Sequence, residues 1–225
     1  MNELDEYIFE KVQNTTKKFH VGGVPVHEDD ELPEGFNLKS VLKTLEDHLP
    51  SYYFDGLKGI TIKHLDEFDE RNVIAVYRDS QFFISNKQDD SKDLLDDLVH
   101  EFAHHLETRK SELIYGDEKI EQEFLKKRSQ LEFELRSEGY WTKEYDFDNV
   151  EYNEEFDNFL YKRVGRNMLK LATTGMFIRP YAAVSLREYF ATGFEAYYLG
   201  DKEKLDQTSP LLYDKIDELH NLTRK

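Results

Sequence analysis

The spacing of apolar residues predicts a mixture of helices and short strands in the first part of the chain. Apolar residues recur every four positions over 1–19, which predicts a helix, and a second helix is predicted from about Leu38 to His48, where Pro50 stops it. Between them, the glycines, prolines and acidic residues of 21–37 predict a loop. Three short runs rich in β-branched and aromatic residues predict strands: Gly59–Lys63, Val73–Tyr77 and Phe82–Ser85.

The rest of the chain predicts helices. Five segments carry apolar residues at helical spacing: 91–109, 118–137, 154–172, 185–199 and 209–221. Asp90 or Ser91 can cap the first of these helices, because short polar side chains accept hydrogen bonds from the first turn. Pro180 interrupts the pattern before the fourth helix, and Gly200 ends that helix.

The change from strands to helices near residue 88 indicates two lobes rather than two domains. We expect a single domain over 1–225, with an N-terminal lobe of about 1–108 and a helical C-terminal lobe of about 109–225. A hydrophobic share of 39% with 16 Phe and 14 Tyr is enough for a packed core, which excludes a disordered chain.

Composition also narrows the class of partner. A formal net charge of -17 argues against nucleic acids and anionic membranes, since both are bound by clustered Lys and Arg, and mildly favours basic peptides. No run approaches the roughly 18 apolar residues of a membrane span, and the acidic start lacks the features of a signal peptide. We therefore expect a cytoplasmic protein by default, although export by another route stays open.

A metal-binding motif lies in the predicted helix 91–109. The chain has no cysteine, so a transition-metal site would use histidines and carboxylates. In the run His100-Glu101-Phe102-Ala103-His104, the two histidines are four residues apart and project from one helix face, where both can ligate one ion. Glu101 lies about 100° around the helix axis and can take a proton from a zinc-bound water.

The apolar residues of this helix test whether the histidines are core residues. They form one stripe: Leu94, Leu95, Leu98, Val99, Phe102 and Leu106. His100 and His104 fall nearly opposite that stripe, so they are not core histidines of this helix. An ordinary solvated face remains an alternative, because acidic residues share that side. His105 lies nearer the stripe, which favours packing over ligation.

A catalytic zinc site needs a third protein ligand. Glu107 and Lys110 occupy the positions where a metzincin would have glycine and histidine, and no thermolysin-like acidic motif follows. The predicted helix 185–199 is the more informative segment. One face is apolar, and the other carries Glu188, Ala191, Thr192 and Glu195. Small side chains beside a carboxylate would allow another helix to approach closely, although an exposed face with two glutamates explains the same spacing.

Two patches together resemble a known family. Tyr181, followed seven residues later by Glu188 in Glu-Tyr-Phe-Ala-x-x-Phe, is similar to the catalytic domain of anthrax lethal factor and its relatives, which include the clostridial Pro-Pro endopeptidases. That family pairs this pattern with His-Glu-x-x-His. The resemblance covers about 94–107 and 179–199. It implies a zincin-like α+β fold, in which a small twisted mixed sheet packs on the active helix.

The resemblance also implies roles for individual residues. His100, His104 and Glu188 would hold Zn²⁺, Glu101 would act as general base, and Tyr181 would donate a hydrogen bond to the oxyanion of the tetrahedral intermediate. Zincins bind substrate as an added strand at the edge of the sheet, and by this resemblance Phe82–Ser85 would be that edge strand. An ordinary core or edge strand is the alternative for that run.

The chain departs from the family at three places. Ala103 replaces a common glycine, and a long insertion separates His104 from Glu188. Thr192 stands where the family often has a glutamate that orients a histidine ligand, and Glu195 or Asp97 could take over that support.

The sequence thus predicts a zinc metalloendopeptidase acting on a peptide or protein substrate. Two alternatives remain, a non-catalytic or regulatory binding module on the same scaffold and a helical protein without metal.

Overall fold

The computed structural model describes residues 17–71 and 73–222. Contacts divide the chain into two compact units, Met1–His105 and Leu106–Lys225. The first unit contains a five-stranded sheet, and the elements that lie within the second are helical. The predicted α+β class is therefore confirmed, while the predicted helix over 1–19 falls almost entirely outside the described residues and ends in a strand.

The sheet is mixed, and its strands lie in the order β1-β2-β3-β5-β4. Their bounds are β1 Lys17–Val21, β2 Val24–Glu28, β3 Gly59–Ile62, β4 Ala75–Arg78 and β5 Gln81–Ile84. The three inner strands run parallel to one another, and each edge strand is antiparallel to its neighbour. The three strands predicted between residues 59 and 85 are confirmed with small shifts at their ends.

The prediction of a loop over 21–37 is wrong in its first part, because β2 occupies Val24–Glu28. Gly22 and Gly23 form a two-residue turn in which both φ angles are positive, at 56° and 83°, and Val21 pairs directly with Val24. A side chain at Gly22 would also collide with the ring of Phe54, since an added Cβ would lie 2.3 Å from it. The glycine pair therefore marks a hairpin rather than a loop.

The predicted edge strand is also wrong. β5 is an inner strand, paired with β3 on one side and with β4 on the other. Asp79 and Ser80 join β4 to β5 in a tight turn with φ angles of 54° and 65°, so β4 folds back directly over the free side of β5. The outer strand on this side of the sheet is Ala75–Arg78.

Three helices belong wholly or mainly to the first unit. They are α1 Leu38–His48, α2 Asp66–Arg71 and α3 Ser91–Tyr115, and a short 3-10 turn covers Ser51–Phe54. The side chain of Asn37 caps α1 by accepting a hydrogen bond from Ser40 N at 3.1 Å. The α1 prediction is confirmed, and α2 was missed. Non-helical backbone at Lys110 (φ -132°) kinks α3 after its first five turns.

The second unit continues with further helices. They are α4 Lys119–Ser137, α5 Glu154–Asn158, α6 Arg166–Thr173, α7 Leu186–Leu199, α8 Lys202–Thr208 and α9 Pro210–His220. A π-helix, Phe159–Gly165, joins α5 to α6, and a 3-10 turn, Pro180–Ala183, precedes α7. The single helix predicted over 154–172 is therefore three segments with different hydrogen-bond periods.

Helix α7 lies at the centre of the second unit. All its residues from Tyr189 to Tyr198 are buried, including the face that carries Ala191, Thr192 and Glu195. Gly193 allows α9 to come close, because a Cβ at that position would lie 2.3 Å from Leu212 Cδ2. The alternative of an exposed polar face on this helix is thus excluded.

Among the described residues, none of the helices has the length and apolar character needed to cross a bilayer.

Candidate metal centre

A cap at its first turn and packing along its apolar stripe fix the orientation of helix α3, which carries the motif from His100 to His104. Asp90 caps the helix, since its Oδ1 accepts hydrogen bonds from Lys92 N at 2.7 Å and Asp93 N at 3.0 Å. On the apolar stripe, the Phe102 ring makes edge contacts with Phe54 and with Phe82 of β5, at centroid distances of 4.8 and 4.9 Å. These contacts fix the rotation of α3 about its own axis.

His105 is a packing residue, as predicted. It is fully buried, and its two ring nitrogens lie 3.1 Å from the Tyr77 hydroxyl and 3.1 Å from the Asp55 carbonyl oxygen. Because both nitrogens are engaged within the first unit, this histidine is not available to a metal.

His100 and His104 point their Nε2 atoms at a common point. The two atoms lie 3.0 Å apart, and the ring planes cross at 84°. Two histidine nitrogens on one tetrahedral zinc, each at about 2.0–2.1 Å, would be about 3.3 Å apart, so the observed spacing suits a shared ion. Glu101 and His104 are only 5% and 6% exposed, which excludes an ordinary solvated face.

Glu188 lies in the first turn of α7. Ser185 caps this helix by accepting a hydrogen bond from Glu188 N at 3.2 Å. The spacing Ser-x-x-Glu is typical of a capping box, in which the glutamate side chain would bond back to the cap residue. No such return bond joins these two described residues. The cap therefore orients the backbone of Glu188 and leaves the direction of its carboxylate to other contacts.

One group of side chains among the described residues could hold a metal ion. It consists of His100, His104 and Glu188, each offering one ligand atom, with all three atoms within 4.8 Å of one another. Two imidazoles and one carboxylate form a donor set that suits zinc, and three protein ligands leave a fourth position for water or substrate. The residues present thus fit the metal that the sequence predicts.

Tyr181 lies within the 3-10 turn before α7 and is 38% exposed. Burial raises the pKa of its phenol well above the usual value, and the charges of Glu188 and Asp157 raise that pKa further. The phenol is therefore protonated at neutral pH and can donate a hydrogen bond. Within the described part of the chain, its hydroxyl has no hydrogen-bond partner.

Three residues were predicted to support the ligands. Thr192 donates its hydroxyl to the backbone carbonyls of Glu188 and Tyr189, at 2.8 and 3.2 Å. Glu195 forms an ion pair with Arg179, and Asp97 accepts a hydrogen bond from Gln88 Nε2 at 2.9 Å. The Thr192 contacts fall on its own helix, so this residue steadies α7 locally. Support of a histidine by Asp97 or Glu195 stays a prediction.

An ion pair that the sequence did not reveal flanks Glu188. Arg187 Nε lies 3.5 Å from Glu107 Oε2, and the Tyr115 hydroxyl donates a hydrogen bond to the same carboxylate. Glu107 is only 9% exposed. Within the second unit, this cluster ties the last turns of α3 to the first turn of α7. The pairing joins residues that are distant in sequence, so no local pattern could have indicated it.

Two buried cations of α4 hold the elements around Tyr181 and Glu188. The Arg128 guanidinium, only 1% exposed, donates to the carbonyls of Ala183 and Val184 at 2.9 and 3.2 Å, at the end of the turn that carries Tyr181. Lys127 donates to the Tyr189 hydroxyl at 2.7 Å and to Thr208 O at 2.8 Å. Burial lowers the pKa of Lys127 to about 8 and that of Arg128 to about 10.

No protein-family model, curated protein or solved structure matches this chain, so its candidate chemistry rests on the residues themselves.

Proposed function

We propose that this protein is a zincin-like, zinc-dependent endopeptidase. The observation that carries the proposal is the grouping of His100, His104 and Glu188 within ligand distance of one another. The next residue after His100 is a buried glutamate, Glu101, which can act as the general base for a metal-activated water. The resemblance to the lethal factor family predicts the same five residues, with Tyr181 as the fifth.

Zinc would polarise the substrate carbonyl and lower the pKa of a bound water to about 7. In the proposed reaction, Glu101 accepts a proton from the attacking water as the water oxygen bonds to the carbonyl carbon. Glu101 then returns that proton to the amide nitrogen as the carbon–nitrogen bond breaks, so the residue ends in its starting form. The remaining proton of the attacking water passes to the amine, so the products are a carboxylate and an ammonium group.

Tyr181 supports the step in which negative charge develops. A protonated phenol donates a hydrogen bond to the substrate oxygen, and that bond strengthens as the oxygen becomes an oxyanion. The raised pKa of Tyr181 keeps the phenol in its donor form across the neutral range. A donor that strengthens only in the transition state raises kcat more than it tightens substrate binding.

The outer strand β4 is the place where an extended substrate can add to the sheet. Among the described strands, β4 pairs only with β5, and its Tyr77 hydroxyl contacts His105 of α3. An extended peptide bonded to Ala75–Arg78 would be held through its backbone, with its side chains selected by the surrounding surface. This strand replaces Phe82–Ser85 in the role that the resemblance implied.

Cleavage of a diverse peptide library by the zinc-loaded protein tests the proposal. Glu101→Gln is the matched variant, because it keeps the size of the side chain and removes its basicity. We expect cleavage by the wild type and a loss of about 10³-fold or more in the variant, with the zinc content of both unchanged. Equal cleavage by both proteins, or none by a wild type that holds zinc, would contradict the proposal.

A second candidate function is a zinc-binding module without turnover. The Thr192 hydroxyl favours it, since this residue stands where the resemblance implies a supporting glutamate and its hydroxyl donates to carbonyls of its own helix. Zinc bound stoichiometrically, with no cleavage of any peptide in the library, is the result expected of such a module.

A further inference from the structure

The insertion between His104 and Glu188 contains an uncommon element. Phe159–Gly165 forms a π-helix directly after α5, and Gly165 ends it with a φ of 84°. π-Helical turns are rare, and they recur at functional sites because the wider turn changes which side chains face a given surface. Here the turn carries Tyr161, a half-buried residue that the sequence pattern had placed in an ordinary helix.

Tyr161 lies beside Tyr181. Their ring centroids are 6.2 Å apart, with the planes inclined at 56°. Burial, followed by the charge of Asp157 and then that of Glu188, raises the pKa of Tyr161 to about 12. The same two charges raise the pKa of Tyr181. The π-helical turn and the turn that carries Tyr181 therefore lie within electrostatic range of the same two carboxylates.

The two hydroxyl groups share a second property. In the described ranges, neither the Tyr161 nor the Tyr181 hydroxyl has a hydrogen-bond partner. Other tyrosines of this region do have one. Tyr140 donates to Val164 O, and Tyr152 donates to Asp157 Oδ2, each at 3.4 Å. Two adjacent, protonated phenols to which the described residues offer no acceptor are therefore available to an acceptor on a ligand.

We infer that Tyr161 is a further catalytic residue, whose hydroxyl donates with that of Tyr181 to the substrate oxygen that becomes negative during hydrolysis. The inference rests on the proposed function and extends it. Two hydrogen-bond donors stabilise one developing negative charge more than a single donor does. Because a phenol is neutral, it bonds only weakly to the uncharged carbonyl of the ground state. The insertion between His104 and Glu188 thereby contributes a second oxyanion donor to the proposed active site.

Steady-state kinetics of the zinc-loaded protein test this role. Removing one oxyanion donor can cost about 10²–10³-fold in kcat, and we expect Tyr161→Phe to lower kcat by about 10- to 100-fold. KM should stay within about twofold, because the bond forms mainly in the transition state. Zinc content and the unfolding midpoint should match those of the wild type.

Tyr145→Phe is the matched control. Tyr145 stacks on Phe159 at a centroid distance of 4.0 Å, so it contacts the same π-helix through a ring rather than a hydroxyl. We expect this variant to keep the wild-type kcat and KM. A Tyr161→Phe enzyme with wild-type kcat, with a change in KM alone, or with reduced zinc content would overturn the inference.

The same experiment separates this inference from the proposal beneath it. A zinc-loaded wild type that cleaves no peptide refutes the peptidase, and the role of Tyr161 with it. Cleavage by the wild type that depends on Glu101 but is unaffected by Tyr161→Phe supports the peptidase and refutes the role of Tyr161 alone.

Discussion

Two clusters of tyrosines lie beside helix α7, and they differ in whether their hydroxyls have hydrogen-bond partners among the described residues. In the first cluster, the Tyr189 hydroxyl donates to Glu123 Oε2 at 2.7 Å and accepts from Lys127 Nζ at 2.7 Å. In the second, Tyr161 and Tyr181 lie together near Glu188, and no described residue accepts from their hydroxyls. Residues 188 and 189 are neighbours in sequence, yet one belongs to each environment.

We interpret the first cluster as one that stabilises the fold and the second as one that can contact a ligand. Tyr189 is 1% exposed, and its network joins α4, α7 and the start of α9, where Glu123 also accepts from Leu211 N and Leu212 N at 3.2 Å each. A buried network in which each group has a partner stabilises a fold, while half-satisfied polar groups are costly. Open donors beside a carboxylate contribute little to stability, which is consistent with a role in meeting a ligand.

The largest expected effect follows from removing the carboxylate at the boundary between the two clusters. Glu188→Gln should weaken zinc binding by about 100-fold or more and abolish cleavage, because a neutral amide is a poor zinc ligand. Without metal, the variant should remain folded. Zinc titration and thermal unfolding measure both.

The control for Glu188→Gln is Glu123→Gln, in the satisfied cluster. Removing its charge should lower stability and leave zinc affinity unchanged, because the partners of Glu123 in the described ranges belong to the Tyr189 network and α9. Zinc binding that survives in Glu188→Gln would show that the metal group is held by other residues.

Tyr181→Phe is expected to have the next largest effect. The variant should lose about 10²-fold in kcat, equivalent to about 2.7 kcal/mol of transition-state stabilisation, with its free energy of unfolding within about 0.5 kcal/mol of the wild type. The hydroxyl has no hydrogen-bond partner to lose among the residues that the structure describes. A variant that unfolds more easily while keeping kcat would place Tyr181 among the structural tyrosines.

The local sequence pattern predicted those residues of the candidate site that lie together on one helix. His100 and His104 share a face because they are four residues apart, and the apolar stripe behind them ends in the buried Phe102 and Leu106. Glu188 and Tyr181 were found through a resemblance, since no spacing links them to His104. The Gly22–Gly23 turn was visible as a hairpin signal but was interpreted as a loop because glycine, proline and acidic residues follow it.

Other features depend on tertiary contacts and could not be predicted locally. The two-residue turn at Asp79–Ser80 uses positive φ angles in residues other than glycine, so it gave no strong turn signal and β5 was mistaken for an edge strand. Tyr161 was overlooked because the apolar pattern of 154–172 fits one α-helix, whereas a π-helix changes the face on which the residue lies.

Tyr189→Phe tests the satisfied cluster directly. The variant leaves Glu123 and Lys127 each without one partner in a buried setting, so we expect a loss of about 1–3 kcal/mol in the free energy of unfolding. Turnover per folded molecule should stay close to that of the wild type. Denaturant titration at neutral pH, beside kinetics at a temperature where both proteins are folded, measures the two quantities.

A result in which Tyr189→Phe lowers kcat as strongly as Tyr181→Phe would remove the distinction between the clusters. The variant would then be altering the site through α7, and the Tyr189 network would have to be counted as part of the catalytic support.

Alkaline pH should have the smallest effect and should report on the buried cluster. Burial, together with the charge of Glu123, raises the pKa of Tyr189 far above its unfolded value of about 10, so the folded state holds this proton more tightly than the unfolded state. The resulting stability is fully present below pH 10 and is lost as pH rises beyond it, at about 1.4 kcal/mol per pH unit for each such tyrosine.

Lys127 has the opposite effect on the pH dependence of stability, and it does so at lower pH. Its folded pKa of about 8 lies below the unfolded value, so the unfolded state binds more protons between pH 8 and about 10.5 and stability rises with pH there. Arg128, with a folded pKa of about 10, offsets the share of one tyrosine above that pH, but the pKa values of Tyr161 and Tyr181 are also raised. The free energy of unfolding should therefore pass through a maximum near pH 10. In Tyr189→Phe, the free energy of unfolding should decline less steeply above pH 10, by about the slope that one tyrosine contributes. Denaturant titrations from pH 7 to 11 measure this slope. An unchanged decline would show that the buried Tyr189 proton does not control the alkaline limb.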